Sequence, residues 1–332
     1  MSDRRLTVAV FNESQRWALD DAMIDRLRKG VDDAVEIEAV RSRAALLELL
    51  PETDYLMGLP LAESQFAGLA TRLKLVQLVT AWAESLAPYR AAMLAGARVS
   101  GTGAIRAVPV AEHAMALLLG LMRRLDISIS AQANRRWAAG RIAQSVRELA
   151  DATVGLVNIG PVGREVARRL RPFGCEIIAT GGSESDSDLV DRLLPEASID
   201  ELISRSDVLM LTDDDPYRRR PVLTRPLFEQ MGSRSLLVNV AGGTMFAESE
   251  FLRAVRRGHI AGAALDCFEH RPLSYNSPLW NAANVIITPS TASASPSYWR
   301  RAVDVTLENI KRLESNQELL DELRVELAIA HA

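Results

Sequence analysis

ATVGLVNIGPVGREVARRLRPFGCEIIATGG, residues 152–182, decides the fold. Val154, Gly155, Leu156 and Val157 read as a buried parallel strand, and Gly160 and Gly163 as a tight turn. Arg164 to Phe173 reads as a helix with Val166, Ala167 and Leu170 on one face, and Glu176 to Ala179 as the next strand. A strand, glycine turn, helix and strand within about 30 residues have the size of a dinucleotide-binding βαβ unit. Glycines let the backbone approach a ligand closely, and the N–H groups at a helix start carry partial positive charge, so the turn suits a pyrophosphate. Two positions depart from the pattern. Asn158 stands at the first glycine, and asparagine tolerates a left-handed backbone better than most residues. Gly181 stands where an acidic residue would end the second strand and hold the adenosine ribose. A Rossmann-type unit that binds no nucleotide is the alternative these departures keep open.

Strand and helix alternate on the N-terminal side as well. Leu6 to Phe11 reads as a strand, Arg16 to Gly30 as a helix, Val35 to Ala39 as a strand, and Arg41 to Leu50 as a helix ahead of Pro51. Asp54 to Leu59 and Leu75 to Val79 read as two further strands. This spacing argues for parallel sheets with helices on both faces. Val110 to Leu125 is a long apolar helix, and the less patterned Asp126 to Ala150 suits a segment lying over the surface or over a partner subunit. The last helix, Tyr298 to Leu313, is expected to pack back on the first domain. The division expected is a discontinuous domain of residues 1–100 plus 291–332, with a second domain of residues 101–290 built on the glycine turn.

A chain of 332 residues has ample surface to bury in two domains. Hydrophobic content of 48% and charge of 25% are ordinary for a globular protein. The net charge of −4 favours neither nucleic acid nor an anionic membrane as a partner. No run approaches the length of apolar sequence that spans a bilayer, and MSDRRLTVAVF is too short in apolar length for a signal peptide. Cys175 and Cys267 make neither a disulfide framework nor a metal site, which fits a reducing cytoplasm. No histidine or cysteine spacing suits zinc, and no P-loop or G-x-S-x-G run is present.

Other runs, in order, are RLKLVQLVTAWAES at 72–85, VAEHAMALLL at 110–119, SDVLML at 206–211, LLVNVAGGTM at 236–245, GHIAGAALDCFEHRPL at 258–273 and NVIITPS at 284–290. With the glycine turn between them, this order resembles the D-2-hydroxyacid dehydrogenase family, which includes phosphoglycerate, D-lactate and formate dehydrogenases. The match covers roughly Leu46 to Leu313. The resemblance implies an α/β fold of two Rossmann-like, doubly wound parallel-sheet domains, a flavodoxin-like substrate domain and an NAD(P)-binding domain. It further implies a cleft between them for a small-molecule ligand, and a homodimer formed largely through the cofactor domains.

In that family a histidine held by a glutamate exchanges a proton with the substrate hydroxyl. An arginine binds the carboxylate and polarises the carbonyl while nicotinamide exchanges hydride. All three positions are altered here. The family's N-x-A-R-G run is Asn239-Val240-Ala241-Gly242-Gly243, so Gly242 replaces the arginine; the glutamate position falls at Arg271, and the histidine of the T-P-H run at Ser290. The Gly-Ala-Gly loop that offers N–H groups to a carboxylate corresponds to Thr80, Ala81, Trp82 and Ala83, and a tryptophan there fills or reshapes the anion pocket. Losing a positioned acid–base group costs about 10²–10⁴ in rate, and losing an electrostatic stabiliser about 10²–10³. Ordinary 2-hydroxyacid oxidation is therefore expected to be slow.

Arg106, His270, Arg271 and Tyr298 are the candidates for replacement chemistry, although rim arginines are more often paired with neighbouring acids and surface histidines more often solvated. His113, within V-A-E-H, reads as structural, capping or crossing to a neighbouring element. On the cofactor side the resemblance implies Asn158, Gly160, Pro161, Val162, Gly163, Thr180, Thr212, Val240, Ala241 and Asp266, the last as a contact of the nicotinamide carboxamide. The loop Asp213 to Arg220 reads as a solvated charged segment, with Arg218 to Arg220 able to attract the 2′-phosphate of NADP. NAD and NADP both remain open. Two other readings do too: a catalytically silent regulatory homologue, that is a pseudoenzyme, and reuse of the fold for non-redox lyase or hydrolase chemistry.

Overall fold

Leu6, Val8, Tyr55, Met57 and Leu75 are almost wholly excluded from solvent, because each sits in a strand covered on both faces. They belong to a computed structural model that describes residues 4–12, 17–58, 68, 70–79, 93, 96–212 and 221–323. Its strands, in chain order, begin with β1 (Arg4–Ala9), β2 (Phe11–Asn12), β3 (Trp17–Ala18), β4 (Val35–Ala39), β5 (Tyr55–Gly58), β6 (Leu75–Leu78) and β7 (Arg98–Ser100). The chain divides into two compact units, Met1–Arg106 with Ser295–Ala332, and Ala107–Ala294.

In the first unit the parallel strands run β7-β6-β5-β1-β4, the flavodoxin-like order, and Glu322–Leu323 closes the β7 edge antiparallel. A buried amide network fixes that closure. Asn309 Nδ2 donates to Gln77 Oε1 at 2.7 Å and to Ser100 Oγ at 2.9 Å, while Asn309 Oδ1 accepts from Leu320 N at 2.7 Å.

The second unit continues the chain order with β8 (Thr153–Val157), β9 (Glu176–Thr180), β10 (Arg192–Leu194), β11 (Val208–Leu211), β12 (Leu236–Asn239), β13 (Gly262–Leu265) and β14 (Val285–Ile287). All pair in parallel in the order β10-β9-β8-β11-β12-β13-β14. The order reverses between β8 and β11, and a doubly wound sheet opens its binding crevice beyond the carboxyl ends of the strands at such a point. The α/β class and the doubly wound parallel sheets expected from the sequence are both present.

Two helices start earlier than the pattern suggests. The helix after the glycine turn is Pro161–Leu170, with proline at its first position, and Arg171–Phe173 is a separate 3₁₀ turn. The long apolar helix is Gly103–Met122 and runs through Pro109. Its start is capped from the far end of the chain, where Asp321 accepts from Gly103 N. At 20 residues it is long and apolar enough by composition to cross a membrane, contrary to the sequence reading. Val110, Ala111, Ala114 and Leu118 nevertheless pack into the core of the second unit, against Val154, Leu156 and Val166.

Candidate functional site

Asn158 takes a left-handed backbone, φ +54°, as its place at the first glycine requires. Its N–H donates to Thr180 Oγ1 at 3.2 Å, and Ile159 N donates to Thr180 O at 3.0 Å, so buried Thr180 ties the end of β9 to the turn. Pro161 and buried Val162 open the helix, and no side chain caps it. A Cβ at Gly160 would meet nothing within 4 Å, which leaves the mouth of the turn open to a ligand. A Cβ at Gly163 would come within 3.0 Å of Thr212 Oγ1 and 3.3 Å of Asn158 O, so this glycine is the condition for the helix to sit close on the sheet. Thr212 is 1% exposed, and its hydroxyl oxygen has no hydrogen-bond partner among the described residues. A buried hydroxyl left unsatisfied at the mouth of a glycine turn suits a polar ligand.

At the end of β9 both Gly181 and Gly182 are left-handed, φ +68° and +81°. Beyond them Ser183 and Asp186 form a reciprocal capping box, and Arg164 grips the Asp186 carboxylate with Nε at 2.6 Å and Nη2 at 3.0 Å. The Arg164 guanidinium, with hydrogen bonds from Ser183, holds the Asp186 carboxyl down to about 2 against the opposing effect of burial. Asp186 thus welds the β9 loop to the first turn of the helix. Sequence reasoning missed it, although S-x-x-D at 183–186 is the capping-box signature.

The ends of β12, β13 and β14 carry the positions aligned with the family's chemistry. Val240 and Ala241 are buried, and Asn239 holds them by accepting from Ala241 N at 3.2 Å and donating to Gly242 O at 3.0 Å. A Cβ at Gly242 would meet nothing within 4 Å, whereas one at Gly243 would overlap the Phe268 carbonyl. Asp266 is 2% exposed. Its carboxylate accepts from Thr288 Oγ1 at 2.6 Å, Thr291 N at 3.0 Å and Ala292 N at 3.0 Å, and lies 3.4 Å from His113 Nε2. Burial works to raise its carboxyl; His113, Thr288 and the two N–H groups outweigh it, so the group sits below the usual range. Asp266 is the anchor of the 288–292 loop, and His113 crosses from its helix to Thr288 Oγ1 at 2.9 Å. Ser290 is left-handed, φ +56°, and its hydroxyl donates to the Asp266 carbonyl at 2.8 Å.

The remaining candidates divide between the two units. His270 and Arg271 are exposed. Tyr298 belongs to the first unit and donates to Val79 O at 3.0 Å. Burial pushes its phenol up to about 12 while Arg106 pulls the other way, so it stays protonated at neutral pH. Arg106 is 8% exposed in the same unit. Thr80, Ala81, Trp82 and Ala83, the loop 213–220 and His331 lie outside the described residues. Among the described residues no group of three or more His, Cys, Asp or Glu is placed to hold a metal ion.

Comparison with known proteins agrees with this architecture. Residues 115–292, just over half of the chain, match the family described as D-isomer specific 2-hydroxyacid dehydrogenase, NAD binding domain. A glyoxylate/hydroxypyruvate reductase A from Photorhabdus laumondii is 31% identical over 207 residues, 62% of this chain and 64% of that protein. A D-3-phosphoglycerate dehydrogenase from Mycobacterium bovis is 25% identical over 297 residues, 88% of this chain and 56% of that protein. Each alignment spans less than two thirds of the relative's own length. In fold, the chain superposes with a TM-score of 0.78 on a D-isomer specific 2-hydroxyacid dehydrogenase from Xanthobacter autotrophicus in complex with NADPH and MES, at 21% identity over 99% of this chain and 100% of that one. The chain belongs to the D-isomer specific 2-hydroxyacid dehydrogenase family.

Proposed function

We propose that the unit Ala107–Ala294 binds a nicotinamide dinucleotide, NAD or NADP, and that the chain does not carry out ordinary 2-hydroxyacid oxidation. The observation that carries the first half is the sterically open turn at Gly160, uncapped among the described residues, with the Thr212 hydroxyl beside it that has no partner among them. Gly160 N is bonded to Asn158 O and Pro161 has no N–H, so the backbone N–H groups of Val162 and Gly163 would hold the pyrophosphate, and Val240 and Ala241 would flank the nicotinamide. When bound, the dinucleotide supplies a hydride donor or acceptor. What the chain does not supply at the family positions is a proton-transfer group. Gly242 has no side chain, Arg271 is exposed, and the Ser290 hydroxyl is engaged with a backbone carbonyl. The protein is proposed as a divergent oxidoreductase-family member that keeps its nucleotide as a ligand, acting on a small molecule, in a reducing cytoplasm that suits cysteines outside any disulfide.

Fluorescence titration of the purified chain with NADH and with NADPH tests the binding half. Saturable enhancement with at least one of them is expected; a flat response to both rejects the reading. A second reading, a reductase of small 2-oxo acids, is favoured by the similarity to the Photorhabdus reductase. Rapid turnover of glyoxylate or hydroxypyruvate would establish that reading in place of the first.

A further inference from the structure

Gly181 leaves the end of β9 without a side chain, yet a carboxylate reaches that point from the neighbouring strand. Glu196 follows β10 by two residues, and β10 pairs with β9 in the register Leu194↔Thr180. Its Oε1 accepts from Asn158 Nδ2 at 3.3 Å, which places an acid against the first residue of the glycine turn. Gly181 is the condition for this. A Cβ there would lie 2.7 Å from Asn158 Oδ1, in the space the amide uses to turn its Nδ2 toward Glu196. Gly181 N donates to Leu194 O at 3.1 Å, so the two strand ends are fastened together beneath the pair. Asp186, the buried acid of the β9 loop, has both oxygens committed to Arg164. Glu196 is exposed to solvent.

We propose that Glu196 takes over the ribose-binding role of the acid missing at Gly181, with Asn158 as its positioning residue, and that the site therefore selects NADH over NADPH. The inference rests on the dinucleotide reading above. An ionised carboxylate accepts from the 2′- and 3′-hydroxyls of an adenosine ribose in charge-assisted hydrogen bonds, and it repels a phosphate on the 2′ position. The signal is invisible to a motif search, because the carboxylate comes from a different strand than the pattern specifies.

Isothermal titration of the full chain, of Glu196→Gln and of Glu184→Gln with NADH and with NADPH separates the outcomes. The unmodified chain is expected to bind NADH about tenfold or more tighter than NADPH, the scale of one hydrogen bond to a charged group. Glu196→Gln is expected to weaken NADH by about the same factor without weakening NADPH, and Glu184→Gln to leave the ratio unchanged. The proposal is overturned by an NADPH preference in the unmodified chain, by an unchanged ratio in Glu196→Gln, or by a ratio that collapses in Glu184→Gln instead. If the unmodified chain binds neither dinucleotide, the functional reading itself fails and this inference falls with it.

Discussion

Asp186 shows how one carboxylate can fasten two elements and leave a measurable trace. Its folded carboxyl sits near 2, whereas an unfolded aspartate titrates near about 3.9. A depressed carboxyl contributes stability that is fully present above the unfolded value and lost as pH falls through the folded one. Urea unfolding of the protein and of Asp186→Asn should therefore differ by on the order of 1–2 kcal/mol at pH 6 and converge between about pH 4 and 2. A difference that persists at pH 2 would show that the Arg164 pair is not its source. At Gly242 and Gly243 two adjacent glycines have opposite reasons to exist. Gly243 is required because the Phe268 carbonyl occupies the place of a side chain, and Gly242 is open. Gly243→Ala should lower stability by about 3 kcal/mol or more, and Gly242→Ala by less than about 0.5 kcal/mol, as read by thermal unfolding.

At the scale of elements, the sequence was most legible where hydrophobic periodicity is local. The strands at Val35 to Ala39, Val154 to Val157 and Glu176 to Ala179 stand where the apolar runs put them. It was least legible where the partner is distant. The long apolar helix reads from Val110 in the sequence, but Asp321, more than 200 residues away, supplies the cap that lets it begin at Gly103. Asp321→Ala should cost about 1 kcal/mol in stability and loosen amide-exchange protection over 103–106, and unchanged exchange there would contradict the cap. β10 was missed because Arg192–Leu194 is too short for a periodic signal. The same limit applies to the candidate site. Gly242, Arg271 and Ser290 are visible as departures from a resemblance, whereas Thr212 without a partner among the described residues and Glu196 against Asn158 emerge only once β10, β9, β8 and β11 lie side by side.

At the scale of the molecule, the second unit carries an apolar surface that a monomer leaves wet. Trp137 is 96% exposed and Ile129 65%, both within the segment that the sequence assigned to the surface or to a partner subunit, and Leu125, just ahead of it, is 48% exposed. A homodimer formed through this segment predicts that Ile129→Glu with Trp137→Glu shifts the sedimentation coefficient to that of a monomer while dinucleotide binding persists. A monomeric unmodified chain would contradict it. The account as a whole joins a retained nucleotide cradle to an erased proton relay. Stopped-flow fluorescence tests both together when the chain, preloaded with NADH or NADPH, is mixed with glyoxylate or hydroxypyruvate. The prediction is an enhanced nicotinamide signal before mixing that then stays flat for minutes; an absent enhancement, or decay within seconds, would contradict it.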